Sequence, residues 1–176
     1  ISYWWYTPYD EFYGVGGSGR DATALWTEIG LLGAEARTAG PLLLRSCPAD
    51  LPVKASKYLW VRSLLAGADT IVVFVVNDNH ANDRTGTVIF PVQKPSLAVR
   101  VPRWLSPEDA FEITYEGIRD VSWKKAEPDI RFDLGVLAVT RLLVITSDAQ
   151  LRSQLADAYR TQFAANVAKL IPRRTQ

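Results

Sequence analysis

Thr70-Ile71-Val72-Val73-Phe74-Val75-Val76-Asn77 is the stretch that decides the class of this fold. Its apolar residues run without a break and are β-branched apart from Phe74, types that fit a pleated sheet. A strand with one wet face alternates apolar and polar residues. This run does not alternate, which predicts a central strand buried on both sides. It is also the longest apolar stretch, far short of the ~18 residues that a bilayer span needs. No membrane partner is expected.

Around it lie further short β-type runs: Tyr58–Leu65, Gly86–Val92, Leu97–Pro102, Ala110–Tyr115, Asp120–Lys124, Asp129–Leu134 and Ala138–Ile145. With Thr70–Asn77 they start roughly 9 to 16 residues apart with turn signals between them, the spacing of an antiparallel sandwich or barrel. Leu97, Val99 and Val101 alternate with Ala98 and Arg100. Phe111, Ile113 and Tyr115 alternate with Glu112, Thr114 and Glu116. Both patterns predict one face on the core and one in water.

Helices are expected at either end. Over residues 21–38, Ala22, Leu25, Trp26, Ile29, Leu32, Gly33 and Ala36 recur at helical spacing and predict the buried face. Ser18 or Asp21 can cap the start, and Gly40-Pro41 is a stop signal before a connector, Leu42 to Pro52. Over 147–171, Leu151, Leu155, Tyr159, Phe163, Val167 and Leu170 form an apolar stripe, with a capping box at Ser147 and Gln150 and Pro172 at the close. The expected fold is mainly β: an antiparallel sandwich of about eight strands with an N-terminal and a C-terminal flanking helix. The organisation reads as 1–45 (aromatic strand, Gly-rich loop and helix), 46–146 (sandwich) and 147–176 (C-terminal helix on the sandwich).

The 176 residues carry a net charge of +1, with 48% hydrophobic and 22% charged residues. That balance gives no electrostatic footprint for nucleic acid. Cys47 is the only cysteine and His80 the only histidine, so neither an internal disulfide nor a Cys/His metal site is available by count. No cofactor and no metal is expected. His80 sits in Asn77-Asp78-Asn79-His80-Ala81-Asn82-Asp83, which reads as a hairpin loop because Asn and Asp tolerate turn backbone. A Ca²⁺ site is the lesser reading of these oxygens, since the spacing is not that of an EF-hand. Gly14-Val15-Gly16-Gly17-Ser18-Gly19 matches GxGxxG, yet no strand runs straight into it and no βαβ unit follows, so it reads as a loop.

The opening holds the candidate ligand contacts. Trp4, Trp5, Tyr6 and Tyr9 carry flat apolar rings with polar tips that suit sugar faces, and Asp10 and Glu11 can meet hydroxyls. The competing reading of these rings is core or interface packing. Trp4 and Trp5 point to opposite faces of a strand, so at least one is structural. Trp60, Trp104 and Trp123 lie on strand-like segments and are expected in the core. Gly14, Gly16, Gly17 and Gly19 raise the entropy cost of ordering residues 1–20, so that segment is expected to be marginal in isolation and to need a surface to pack on. The apolar opening and the lack of methionine predict a piece of a longer polypeptide or a processed product.

The chain resembles the C-terminal end of a bacterial glycoside hydrolase with a (β/α)8 barrel followed by a β-sandwich. Ile1-Ser2-Tyr3-Trp4-Trp5-Tyr6 looks like a last barrel strand. Leu25-Trp26-Thr27-Glu28-Ile29-Gly30 through Ala39-Gly40-Pro41-Leu42-Leu43 looks like a last barrel helix, and Phe74-Val75-Val76-Asn77-Asp78-Asn79 like a sandwich strand ending in asparagine. The resemblance implies that the main catalytic acids belong to earlier barrel strands, with none in this chain. It implies a non-catalytic accessory module that braces a neighbouring domain of the same polypeptide. A carbohydrate-binding module with glycan as partner, and a standalone hydrolase using Asp10 or Glu11, are the rival readings. Extracellular or periplasmic placement is favoured.

Overall fold

The computed structural model describes residues 20–83 and 86–174. Helix α1 (Arg20–Leu44) leads into β1 (Ser46–Ala49), β2 (Val53–Ala55), β3 (Leu59–Ala66), β4 (Thr70–Asn77), β5 (His80–Asp83), β6 (Gly86–Ile89), β7 (Val92–Gln93) and β8 (Ser96–Arg100). Then come β9 (Asp109–Thr114), β10 (Gly117–Asp120), β11 (Ser122–Ala126), β12 (Asp129–Asp133), β13 (Val136–Leu137), β14 (Thr140–Thr146), α2 (Leu151–Gln162) and α3 (Ala164–Arg174). A six-stranded antiparallel sheet has the order β1-β3-β4-β14-β9-β10, and a four-stranded one the order β11-β12-β8-β2. Two short ribbons, β5-β6 and β7-β13, accompany them.

The unbroken run of β4 is explained by what lies on each side. Ile71, Val73 and Val75 pack with Leu97, Val99, Ile130 and Phe132 of the four-stranded sheet. Val72 faces the other way, with Phe111, Ile113, Leu142 and Val144, and meets Ala39 and Leu42 of α1 and Leu151 and Leu155 of α2. Burying each such side chain stabilises the fold by roughly 1.5–3 kcal/mol. The described residues thus form three layers: helices, six-stranded sheet, four-stranded sheet. A third cluster, Leu31, Ala34 and Val167 with Tyr159, Phe163 and Leu170, joins α1 to α3.

Several expectations are corrected. Helix α1 does not stop at Gly40-Pro41 but runs to Leu44 with Pro41 inside it. The lost hydrogen bond is outweighed by burial of Ala39 and Leu42 on the sheet. Its buried face is also not the one predicted. Thr27, Leu31, Ala34, Thr38, Ala39 and Leu42 are buried, whereas Leu25, Trp26 and Leu32 are exposed. Thr27 and Thr38 are tolerated there because each hydroxyl donates to a carbonyl one turn back, Thr23 O at 2.9 Å and Ala34 O at 2.8 Å. The predicted caps Ser18 and Asp21 fall outside the described side chains.

The connector Leu42 to Pro52 contains β1, a sheet edge, where Pro48 removes no ladder donor that a neighbour needs. Asp120–Lys124 is two strands from two sheets, β10 and β11. The second face of β9 is not wet: Glu112 is 2% exposed. The helix expected over 147–171 is bent at Phe163 into α2 and α3, and α3 continues through Pro172 to Arg174. The apolar stripe survives the bend, Leu151 and Leu155 on the sheet, Tyr159 to Leu170 on α1. No box forms between Ser147 and Gln150. The Asp148 carboxylate accepts the Gln150 N–H at 2.8 Å instead.

Candidate functional site: an apolar cleft over a buried ion cluster

Between α1 and the rim of the six-stranded sheet lies an open cleft of about 590 Å³. Leu25, Ile29 and Leu32 of α1 form one wall, and Val136 and Val139 stand on the other. Leu32 and Val139 are each 51% exposed. Helical spacing puts 25, 29 and 32 on one stripe. The sandwich does not cover that stripe, because α1 turns the opposite one inward.

Beneath the apolar mouth sits an ion cluster. Arg119 on β10 is directly opposite Glu112 on β9. Its Nε and Nη2 donate to Glu112 Oε2 at 3.1 and 2.7 Å. Arg141 on β14 donates from Nη1 to the same oxygen at 2.6 Å. Its Nη2 donates to Leu134 O at 3.1 Å and Val136 O at 2.9 Å, which pins the chain that carries Val136 and Val139 to the rim. A carboxylate this deep is tolerated because it is paired and hydrogen-bonded. Glu35 of α1 lies on the same cleft. Burial, and then the negative charge of Glu112, push its carboxyl above the ordinary value, with Arg119 pulling the other way.

The Oε2 atom of Glu112 is taken by the two guanidinium groups. Glu28 and Glu116 line the cleft as well. Among the described residues, no group of three or more His, Cys, Asp or Glu side chains is placed to hold a metal ion.

The other candidates are dispersed. Trp4, Trp5, Tyr6, Tyr9, Asp10 and Glu11 lie outside the described residues, as does Gly14 to Gly19. His80 is exposed and starts β5, with Nδ1 3.1 Å from Asp78 O, so its segment is a strand of a hairpin rather than the connecting loop. The Asn77 oxygen is taken by Asn79 N–H at 2.8 Å, and that of Asn82 by the Thr87 hydroxyl at 2.7 Å. Cys47 is exposed on β1. Trp123 packs against the sandwich core as expected. Trp60 and Trp104 do not: they are 47% and 57% exposed. Trp104 lies in a turn rather than on a strand. Trp60 is on β3 beside Arg62, whose guanidinium carbon is 4.8 Å from the ring centre.

No protein-family model and no curated protein matches the sequence. Among solved structures, the fold is similar to part of a cycloisomaltooligosaccharide glucanotransferase from Paenibacillus sp., solved with cycloisomaltoheptaose. The TM-score is 0.53 at 12% identity, over 70% of this chain and 21% of that one. An alpha-L-fucosidase isoenzyme 2 from Paenibacillus thiaminolyticus overlaps at TM-score 0.42 and 11% identity, over 55% of this chain and 15% of that one. This chain therefore spans no more than 21% of either protein's length. The glucanotransferase overlap shows a shared fold.

The cleft escaped sequence reasoning in part. Leu25 and Leu32 carry the signal of a buried stripe, and nothing local says that the stripe faces outward. Glu112, Arg119 and Arg141 come from three strands that only the sheet order brings together.

Proposed function

We propose that this chain is a non-catalytic accessory module of a carbohydrate-active enzyme, a glycoside hydrolase, and that it braces a neighbouring domain of the same polypeptide. The sequence resemblance and the likeness of fold to part of a glucanotransferase support the carbohydrate setting. The observation that carries the bracing role is the outward stripe of α1. Leu25 and Leu32, with Val136 and Val139 across the cleft, leave large apolar side chains in water on a helix whose other face is already buried. Covering each stabilises a contact by up to roughly 1.5–3 kcal/mol.

The test uses the full-length polypeptide to which the module belongs. Leu25→Glu combined with Leu32→Glu should lower the melting temperature of the neighbouring catalytic domain and leave its KM for glycoside unchanged. An unchanged melting temperature of that domain overturns the reading.

One observation favours a carbohydrate-binding module instead. Tyr58 and Trp60 are exposed aromatics at one end of β3, backed by Lys57 and Arg62. Rings held in this way offer a stacking surface. Specific retention of a glycan from a broad panel, lost in Trp60→Ala with the circular dichroism intact, would replace the bracing role by this one.

A further inference from the structure

We infer that the outer face of the four-stranded sheet binds an acidic polysaccharide through a row of cations that crosses all four strands. The inference goes beyond the bracing role, which concerns α1 on the other side of the six-stranded sheet. Only the choice of a glycan rests on the carbohydrate setting proposed above.

Strand alternation sets which residues face outward. Leu97 and Val99 of β8 and Ile130 and Phe132 of β12 enter the sandwich core, and Val53 and Trp123 pack against it. Lys54, Ala98, Lys124 and Arg131 therefore point away from it. Register puts these four in one line: Lys124 is opposite Arg131, Arg131 opposite Ala98, and Ala98 opposite Lys54. With strands about 4.8 Å apart, the line runs about 14 Å across the sheet. Its three cations are exposed.

The row works against the fold that carries it. Like charges directly opposite one another on a sheet are destabilising, and Lys124 meets Arg131 in that way. Among the described residues, neither has an ion-pair partner. Lys54 and Arg100 share a single carboxylate: Asp129 Oδ2 accepts from Lys54 Nζ at 3.3 Å, and Oδ1 from Arg100 Nε at 3.2 Å. Four cations against Asp129 and Asp133 leave an excess of two positive charges on the outward side of these strands, in a chain whose net charge is +1.

The partner that suits this row repeats its anions along an extended chain, because the cations lie in a line and not around a pocket. Carboxylates fit them: Arg131 can hold one with both arms of its fork, and Lys124 and Lys54 add point charges. Single-stranded nucleic acid is held by rings that stack on its bases, and Trp123 and Phe132 turn inward here. A bilayer surface is held by apolar side chains that insert beside the cations, and within this row stands only Ala98. A polysaccharide of uronate residues needs neither.

Isothermal titration of the whole chain with polygalacturonate at low salt tests this. Binding is expected, weakening as salt rises, with none to neutral dextran. Lys124→Thr with Arg131→Thr should weaken it about tenfold. The same pair should raise the urea midpoint, since a repulsion is removed and threonine suits a strand. Lys54→Ser, at the far end of the row, should weaken binding severalfold and keeps the test open if the paired variant unfolds. Lys169→Ser on α3 is the control cation and should change nothing. No binding overturns the inference, as does equal binding by the row variants or equal weakening by Lys169→Ser. Tighter binding of duplex DNA or of phosphatidylserine vesicles assigns the row to that class and overturns it too. So does a lowered melting temperature of the neighbouring domain when the paired variant is placed in the full-length polypeptide, which assigns the row to that domain. The bracing role fails separately, on Leu25→Glu with Leu32→Glu.

Discussion

A β-carbon added to Gly117 would lie 2.8 Å from Cδ1 of Tyr159, so the first residue of β10 and the middle of α2 meet with no room for a side chain. Gly117 has φ +105°, a backbone that side chains rarely adopt. The Tyr159 hydroxyl donates to Tyr115 O at 2.9 Å, which holds the ring over the turn. Gly117→Ala should therefore cost about 2–4 kcal/mol, from backbone strain and overpacking together. Urea unfolding measures it. Gly33 is the control: a helical glycine with nothing within 4 Å of an added β-carbon. Gly33→Ala should stabilise by about 0.5–1 kcal/mol.

Arg152 ties α2 to the edge of the six-stranded sheet. Its Nε and Nη2 donate to the two Asp109 oxygens at 2.7 and 2.8 Å, Nη2 also to Ala110 O at 3.0 Å, and Nη1 to Asp120. The guanidinium also stands over the Phe111 ring at 5.1 Å. Arg152→Met keeps the stem and loses the fork. A loss of about 1.5–3 kcal/mol is expected, the range for hydrogen bonds to charged groups. An exposed ion pair would give under about 1 kcal/mol. A chemical denaturation midpoint shift of that smaller size would show that the clamp contributes little.

Asn77 closes β4 and gathers three chain segments. Its Nδ2 donates to Phe90 O at 2.9 Å and Ala138 O at 2.8 Å, and its Oδ1 accepts from Asn79 N–H. Asn77→Ala should cost about 1–3 kcal/mol, because the Leu137 and Ala138 carbonyls lose their side-chain donor and Asn79 N–H loses its acceptor. Asn77→Asp is the sharper variant. It points an anion at those carbonyls, which raises its folded pKa. The folded state then holds more protons than the unfolded one, and stability falls as pH rises through the window between the two values. The variant should be worst at neutral pH and recover in acid, whereas the alanine variant should show no such recovery.

The strand pattern was legible because β-type runs report their own burial. Thr70–Asn77 matches β4 at both ends, and the alternation of Leu97, Val99 and Val101 matches their burial. What stayed hidden depends on neighbours. Thr27 and Thr38 look polar in the sequence, yet their hydroxyls bond to their own helix, so α1 can bury them and leave Leu25 and Leu32 outside. Glu112 looks like a solvent-facing residue in an alternating strand, and only Arg119 and Arg141 from neighbouring strands make its burial tolerable. Trp60 and Trp104 look like core residues by type, because size says how much a side chain gains by burial and not whether a partner covers it. The short strands β1, β2, β7 and β13 have too few residues to show a period.

The cleft carries a pH signature of its own. Burial, and then Glu112, raise the Glu35 carboxyl above its ordinary value of 4.5, against the pull of Arg119. Between that ordinary value and the raised one, the folded chain binds more protons than the unfolded chain, so stability declines as pH rises. Above both, the full penalty of a half-buried charge remains. Glu35→Gln should therefore be more stable than the parent chain at pH 7. The gain should shrink as pH falls through the raised value and vanish below 4.5. Urea midpoints across that range measure it. Glu112→Gln supplies the internal check. It removes one cause of the Glu35 shift but breaks the ion cluster, and it should itself destabilise the fold by about 3–5 kcal/mol. In that background the benefit of Glu35→Gln should fall, leaving the part due to burial. An undiminished benefit would mean that the two carboxylates do not sense one another across the cleft.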